Sequence, residues 1–255
     1  MPSNRATEGP DYDASPQLFV FRVGKDQTEY TVHSNPIERT SLPLGALINN
    51  GQMKESCSGV AVLEDVEPHI FVGFCEFAYS GTYKTPSLIG EPDDKGRRLG
   101  KVNSKPACSL RIEHFYSGRV QEKLEGSFDF LKYQTEPVAT THSHSPDLLF
   151  HAELYVFATK YLVEPLRQLC LSSLHRDLVA AERRSRPVGI ILNLLEYTYA
   201  HTGNVEPGGE SPLRELVTLF VASFAGSLYP EERFKEILRD NSEFGLALIQ
   251  VLLNL

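Results

Sequence analysis

"EYTVHSNPIERTS" (29–41) is the stretch on which the reading of this chain turns. A strand-like run ends on His33, and Ser34 and Asn35 follow. His33 is either a functional group, catalytic or metal-ligating, or a structural residue at a strand-to-helix passage. The sequence on either side has to decide between the two.

Upstream, "LFVFRVG" (18–24) reads as a strand with Phe19, Phe21 and Val23 on one face. "GKDQ" (24–27) is a Gly-led turn and "TEYTVH" (28–33) a second strand, so the pair predicts a β-hairpin. Downstream, after Thr40 and Ser41, "LPLGALINNG" (42–51) puts Leu44, Leu47 and Ile48 at helical spacing, with Asn49, Asn50 and Gly51 to stop the helix. "GVAVLED" (59–65) predicts a third strand. "EPHIFVGFCEFAYSG" (67–81) predicts a helix: Pro68 sits near its start, Ile70, Phe71, Phe74, Phe77 and Ala78 form the apolar stripe, and Gly81 lies just past the end.

Residues 84–146 change character, with Pro, Gly, Ser and charge throughout, and read as an insertion. Within it "SLRIEHFYSG" and "GSFDFLKYQ" are candidate ordered pieces. Helical periodicity returns at "SPDLLFHAELYVFATKYLV" (145–163). Ser145 is placed to cap that helix, Pro146 suits its first turn and Asp147 complements its dipole. Its expected buried stripe is Leu148, Ala152, Tyr155, Ala158 or Thr159, and Leu162. A second helix over 165–178 turns Leu166, Leu169, Cys170 and Leu174 inward, and the short link predicts that the two pack together. Further helices are marked by Val188 to Tyr199, by Leu213 to Phe224 behind Ser211 and Pro212, by Phe234 to Leu238, and by Phe244 to Leu255, with 201–211 as a loop. Strands first and helices afterwards make an α+β pattern.

Composition narrows the function classes. The chain has 255 residues, 41% of them hydrophobic, with a net charge of −8. That charge argues against a nucleic-acid partner held through phosphates. The one basic cluster, Lys95, Arg97, Arg98 and Lys101, lies in a Gly-rich stretch and reads as a solvated loop. The four cysteines, Cys57, Cys75, Cys108 and Cys170, form no C-x-x-C pair, and Cys75 and Cys170 read as buried thiols. The first sixteen residues are polar and read as a disordered tail without an apolar signal core. No apolar run approaches the ~20 residues of a membrane span. The expectation is a soluble, reduced, intracellular protein of cytoplasm, nucleus or both.

Catalytic and phosphate-binding motifs do not occur. His142 and His144 form an H-x-H pair inside the insertion, without a nearby Cys, and read as low-complexity sequence rather than a metal site. His151 lies near a buried helical stripe and reads as a packed or partly exposed structural histidine. Glu64 and Asp65, Asp93 and Asp94, and Glu231 and Glu232 are adjacent in sequence, so each pair reads as solvated surface and not as a carboxylate dyad. An interaction module fits better than an enzyme, and no cofactor, metal or small-molecule substrate is expected.

At this point the chain resembles a known family. Residues 29–83 followed by "LLFHAELYVFATKYLVEPLRQLCLSSL" (148–174) look like a BTB/POZ domain, and in particular like fungal BTB proteins with a helical tail. The carrying residues are the aromatic-x-V-H at the end of the hairpin, the M-x-E-S segment at 53–56, and the block of Phe71, Phe74, Phe77, Tyr79, Gly81 and Tyr83. Ala152, Tyr155, Ala158, Lys160, Tyr161 and Leu166 complete the pattern. The resemblance covers about 17–86 and 148–180. It implies a disordered tail (1–16), a BTB/POZ domain (17–180) interrupted by the insertion at about 84–146, and a helical extension (181–255). It makes His33 a structural residue that anchors the following turn by hydrogen bonding. It implies protein partners: self-association, or a cullin scaffold that the chain recruits as an adaptor for a ubiquitin ligase. The family's cullin-binding signature, apolar-x-Glu in the loop after the third helix of the family fold, falls on Met53, Lys54 and Glu55. Met53 would then fill an apolar pocket and Glu55 would bond or cap nearby donors. Two features depart from the family. Ser15, Pro16 and Gln17 stand where an Asp usually serves the dimer interface, with Asp13 the nearest acid, and the insertion is longer than usual. The competing reading is an oligomerising scaffold that binds no cullin.

Overall fold

A computed structural model describes residues 17–86, 146–183, 188–206 and 209–254. The N-terminal tail, the cluster of Lys95, Arg97, Arg98 and Lys101, Cys108, the two candidate ordered pieces, His142, His144 and Ser145 lie outside these residues. The chain forms two compact units, divided between Pro68 and His69.

In the first unit the expected hairpin is present. Strand β1 (Leu18–Val23) runs antiparallel to β2 (Thr28–His33), in a register that sets Leu18 opposite His33 and Val23 opposite Thr28. Phe19, Phe21 and Val23 are buried, as period-2 alternation requires. Strand β3 (Val60–Leu63) pairs with β1 in parallel, Val20 opposite Val60, to give the order β2-β1-β3. A parallel pair needs a long crossover. Helices α1 (Ser34–Thr40), α2 (Leu42–Asn49) and α3 (Lys54–Ser58) occupy it. Gly24 closes the hairpin at φ +77°, and a Cβ there would meet Pro68 Cδ at 3.2 Å, so the turn needs glycine on both counts.

His33 does sit at the strand-to-helix passage, as the N-cap residue of α1. Its side chain makes no hydrogen bond that caps α1. The ring is exposed while the backbone holds the junction, through β1–β2 pairing and a bond from Ser34 N–H to Gln17 O at 2.9 Å. Helix α2 starts as read: Ser41 Oγ accepts from Leu44 N–H at 3.2 Å, and Leu44 and Ile48 are buried.

The second unit is helical, with α4 (Pro68–Ser80), α5 (Leu148–Lys160), α6 (Glu164–Arg183), α7 (Val188–His201), α8 (Pro212–Leu228), α9 (Glu232–Asp240) and α10 (Ser242–Asn254). The residues between α7 and α8, expected as plain loop, hold a minimal hairpin of β4 (Val205–Glu206) and β5 (Gly209–Glu210). Asp147, and not Ser145 as expected, is the N-cap of α5, accepting from the N–H groups of Leu149 and Phe150 at 3.0 and 3.4 Å. α5 is buried well beyond one stripe, with Phe150, His151, Leu154 and Phe157 inside as well as Leu148, Ala152, Tyr155 and Ala158. A Cβ on Gly73 of α4 would lie 2.8 Å from Phe150 Cζ, so a glycine is what lets α4 and α5 approach this closely. Phe74 of α4 meets Phe157 of α5 with ring centroids 5.0 Å apart.

Two sequence expectations change here. Leu162, assigned to the buried stripe of α5, is exposed at φ +53°. The helix ends in a Schellman turn: Val163 N–H bonds Ala158 O at 2.8 Å and Leu162 N–H bonds Thr159 O at 3.4 Å. That turn forces Leu162 into the left-handed conformation and rotates it off the stripe. Cys75 is half-buried rather than buried, whereas Cys170 is fully inside. Among the described residues, no helix is long and apolar enough to cross a membrane.

Candidate functional site

Met53, Lys54 and Glu55 lie together at the start of α3. Met53 is its N-cap residue, extended at φ −78° and ψ 147°. The Met53 carbonyl accepts from Cys57 N–H at 3.2 Å and from Ser56 Oγ at 2.9 Å. The Glu55 carbonyl accepts from Gly59 N–H and, at 3.2 Å, from Ser58 Oγ. Gly59 takes φ +70°, which closes the turn before β3. Backbone bonds therefore hold the segment and leave its side chains outward. The Met53 side chain is 40% exposed, Lys54 is exposed, and Glu55 is half-buried in the first turn, where a carboxylate suits the open N–H groups. An exposed thioether beside a carboxylate can act as an apolar knob with a polar neighbour. In the described chain this segment follows two helices, α1 and α2, rather than three.

Three polar clusters in the second unit join residues that are far apart in sequence. In the first, His151 is fully buried. Burial pushes the Tyr83 phenol well above its usual value, so Tyr83 stays an O–H donor, to His151 Nδ1 at 2.8 Å. His151 Nε2–H then donates to Asp177 Oδ2 at 3.0 Å, with Thr85 Oγ1 at 3.5 Å from the same nitrogen. Arg176 Nε donates to the other Asp177 oxygen at 2.9 Å. Burial alone would raise the Asp177 carboxyl, but the bonds from His151 and Arg176 outweigh it and hold the group below its ordinary value. The partners of His151 fix its tautomer. A phenol–imidazole–carboxylate chain has the connectivity of a proton relay. Here Tyr83 is only 9% exposed and the ring is sealed, so the chain acts as a clasp that fixes residues 83–85 to α5 and α6.

In the second cluster, buried Glu206 accepts from Tyr155 OH at 2.5 Å, Arg167 Nη2 at 3.0 Å and Ser211 Oγ at 2.6 Å. Arg167 also reaches Glu164 at 2.7 Å, so the buried charges are mutually compensated. Ser211 at the same time caps α8 by accepting from Arg214 N–H at 3.4 Å. In the third, the Arg214 guanidinium lies 4.7 Å from the Tyr199 ring centre and donates to Thr202, Asn204 and Glu243, tying α8 to the end of α7 and to α10.

His151 is thus the structural histidine the sequence suggested, with both ring nitrogens engaged. Glu232 is a surface acid, paired with Lys235 at 3.0 Å and Arg239 at 2.5 Å. The other clusters were missed, because Tyr155, Arg167, Glu206 and Ser211 converge only after folding. The available signal was a polar residue inside an apolar helical stripe, as at Arg214 between Leu213 and Leu216. Among the described residues, no group of three His, Cys, Asp or Glu side chains is placed to hold a metal ion. Comparison with protein-family models and with curated proteins finds no match.

Proposed function

We propose that the chain is a non-catalytic protein–protein interaction module of BTB/POZ type, acting as an adaptor that brings a cullin-based ubiquitin ligase to its substrate. The order of elements supports this reading: a hairpin, a helical crossover, a parallel third strand, a Phe-rich helix and, after residues 87–145, the α5–α6 pair. The observation that carries it is the Met53–Lys54–Glu55 turn, with its methionine turned to solvent on a backbone fixed by hydrogen bonds. Burying an exposed thioether in an apolar pocket is a standard source of interface affinity.

The test is a binding titration of the purified chain against the N-terminal region of the BTB-binding cullin of its host, beside a Met53→Ala/Glu55→Ala variant whose fold has been checked by circular dichroism. The expected result is micromolar or tighter binding that the double variant loses. A folded wild type that does not bind overturns the adaptor reading in favour of the scaffold that recruits no cullin.

A further inference from the structure

We infer that the outer edge of β3 takes an extended, basic segment of a partner protein as a further strand of the sheet. β3 stands last in the order β2-β1-β3, so among the described residues one of its two edges is open. The hydrogen bonds fix which groups face outward. Val20 N–H bonds Gly59 O and Gly24 N–H bonds Leu63 O, both at 3.0 Å, and the register sets Val20 opposite Val60 and Arg22 opposite Val62. In a parallel ladder alternate residues bond the neighbouring strand. Gly59, Ala61 and Leu63 therefore turn their backbone groups to β1, and Val60 and Val62 turn theirs away. The Ser58 hydroxyl donates to Val60 O at 3.3 Å. The N–H and C=O of Val62 have no partner among the described residues.

The side chains suit the same use. Ala61 and Leu63 are buried on the inner face, while Val62 is 45% exposed and Val60 half-buried on the outer one. Natural edge strands are guarded by lysine, proline or a bulge. Val60–Leu63 carries no charge and no proline, and its register with β1 runs without a bulge. The neighbouring charges select the occupant. Glu64, Asp65 and Glu67 follow β3 directly and are exposed, and among the described residues neither Glu64 nor Glu67 has an ion-pair partner. Arg22, opposite Val62 on β1, is already held by Glu29 at 2.9 Å. The matching strand thus carries lysine or arginine beside Glu64 and Glu67 and a β-branched residue beside Val62. Backbone bonds to Val62 supply affinity and the side chains choose the partner. An edge of four residues offers few such bonds, so the binding is weak.

The probe is a fluorescent octapeptide of alternating valine and threonine with two lysines at each end, titrated with the full chain and read by anisotropy. Saturable binding with a Kd of about 100 μM is expected, together with slower hydrogen exchange at the Val62 amide. Val62→Pro removes the outward N–H and spares the β1 ladder, because an edge strand accepts proline where its N–H faces solvent. It is expected to weaken binding about tenfold with an unchanged circular dichroism spectrum. Glu64→Lys/Glu67→Lys gives a second reading that does not depend on the proline variant folding: it is expected to lose the lysine peptide and to bind a counterpart ending in glutamates. A wild type that leaves the lysine peptide free at about 1 mM chain overturns the inference. So does equal binding of a peptide N-methylated at every second residue, which cannot pair as a strand. A chain that binds the peptide but no cullin keeps this inference and loses the adaptor reading, and one that binds a cullin but not the peptide does the reverse.

Discussion

Removing the Tyr83 hydroxyl tests the clasp at His151. Tyr83→Phe keeps the ring against Phe150, whose centroid is 5.8 Å away, and deletes the hydroxyl that bonds His151 Nδ1 and also reaches Cys170 and Ser173. A buried acceptor left unmet costs about 1–3 kcal/mol, and about 1.5 is expected here because the ring still packs. His151→Leu removes the bonds to both Tyr83 and Asp177, leaves the Tyr83 hydroxyl with Cys170 and Ser173, and takes one donor from a buried carboxylate. Its cost is about 4 kcal/mol, the larger because a charged partner is involved. The double variant loses the Tyr83–His151 bond once rather than twice, so it should cost about 1–2 kcal/mol less than the sum of the singles. The assay is urea unfolding, with amide hydrogen exchange read separately at α5 and α6 because the chain has two compact units. Tyr83→Phe within about 0.5 kcal/mol of wild type, or additive singles, would refute the coupled clasp.

Acid provides a second check on the same clasp. The Asp177 carboxyl is lowered in the folded state, so its contribution is fully present above the ordinary aspartate value of 3.8 and fades as pH falls through the lower folded value. Asp177→Asn should therefore be less stable than wild type at neutral pH, with the gap closing in that acid window; an equal gap at every pH would contradict it. Leu162→Gly should stabilise by about 0.5–1 kcal/mol, read as a higher urea midpoint, since it relieves a left-handed residue that is 59% exposed.

Local physics made much of the secondary structure legible. Alternating Phe19, Phe21 and Val23 fixed the inner face of β1, and caps at Ser41 and Ser211 marked the starts of α2 and α8. These depend on neighbours within a few residues, which a sequence displays directly. The Met53–Glu55 turn was legible as a pattern, while the exposure of Met53 needed the folded chain.

Tertiary structure decided what depends on distant partners or on a change of backbone direction. Leu162 fits the period of α5, but the Schellman turn ends that period two residues earlier and sends the side chain outward. The strand-to-helix passage at His33 is legible in the sequence, while the bond from Ser34 N–H to Gln17 O that helps hold it needed the folded chain. Glu206, in what reads as a polar loop, is buried because Tyr155, Arg167 and Ser211 meet its carboxylate there. Sequence alone determined the periods, caps and turns, because those energies are local. Burial of charge and the pairing of His151 with Tyr83 and Asp177 came from the tertiary structure, because a buried polar group is stable only where folding delivers its partners.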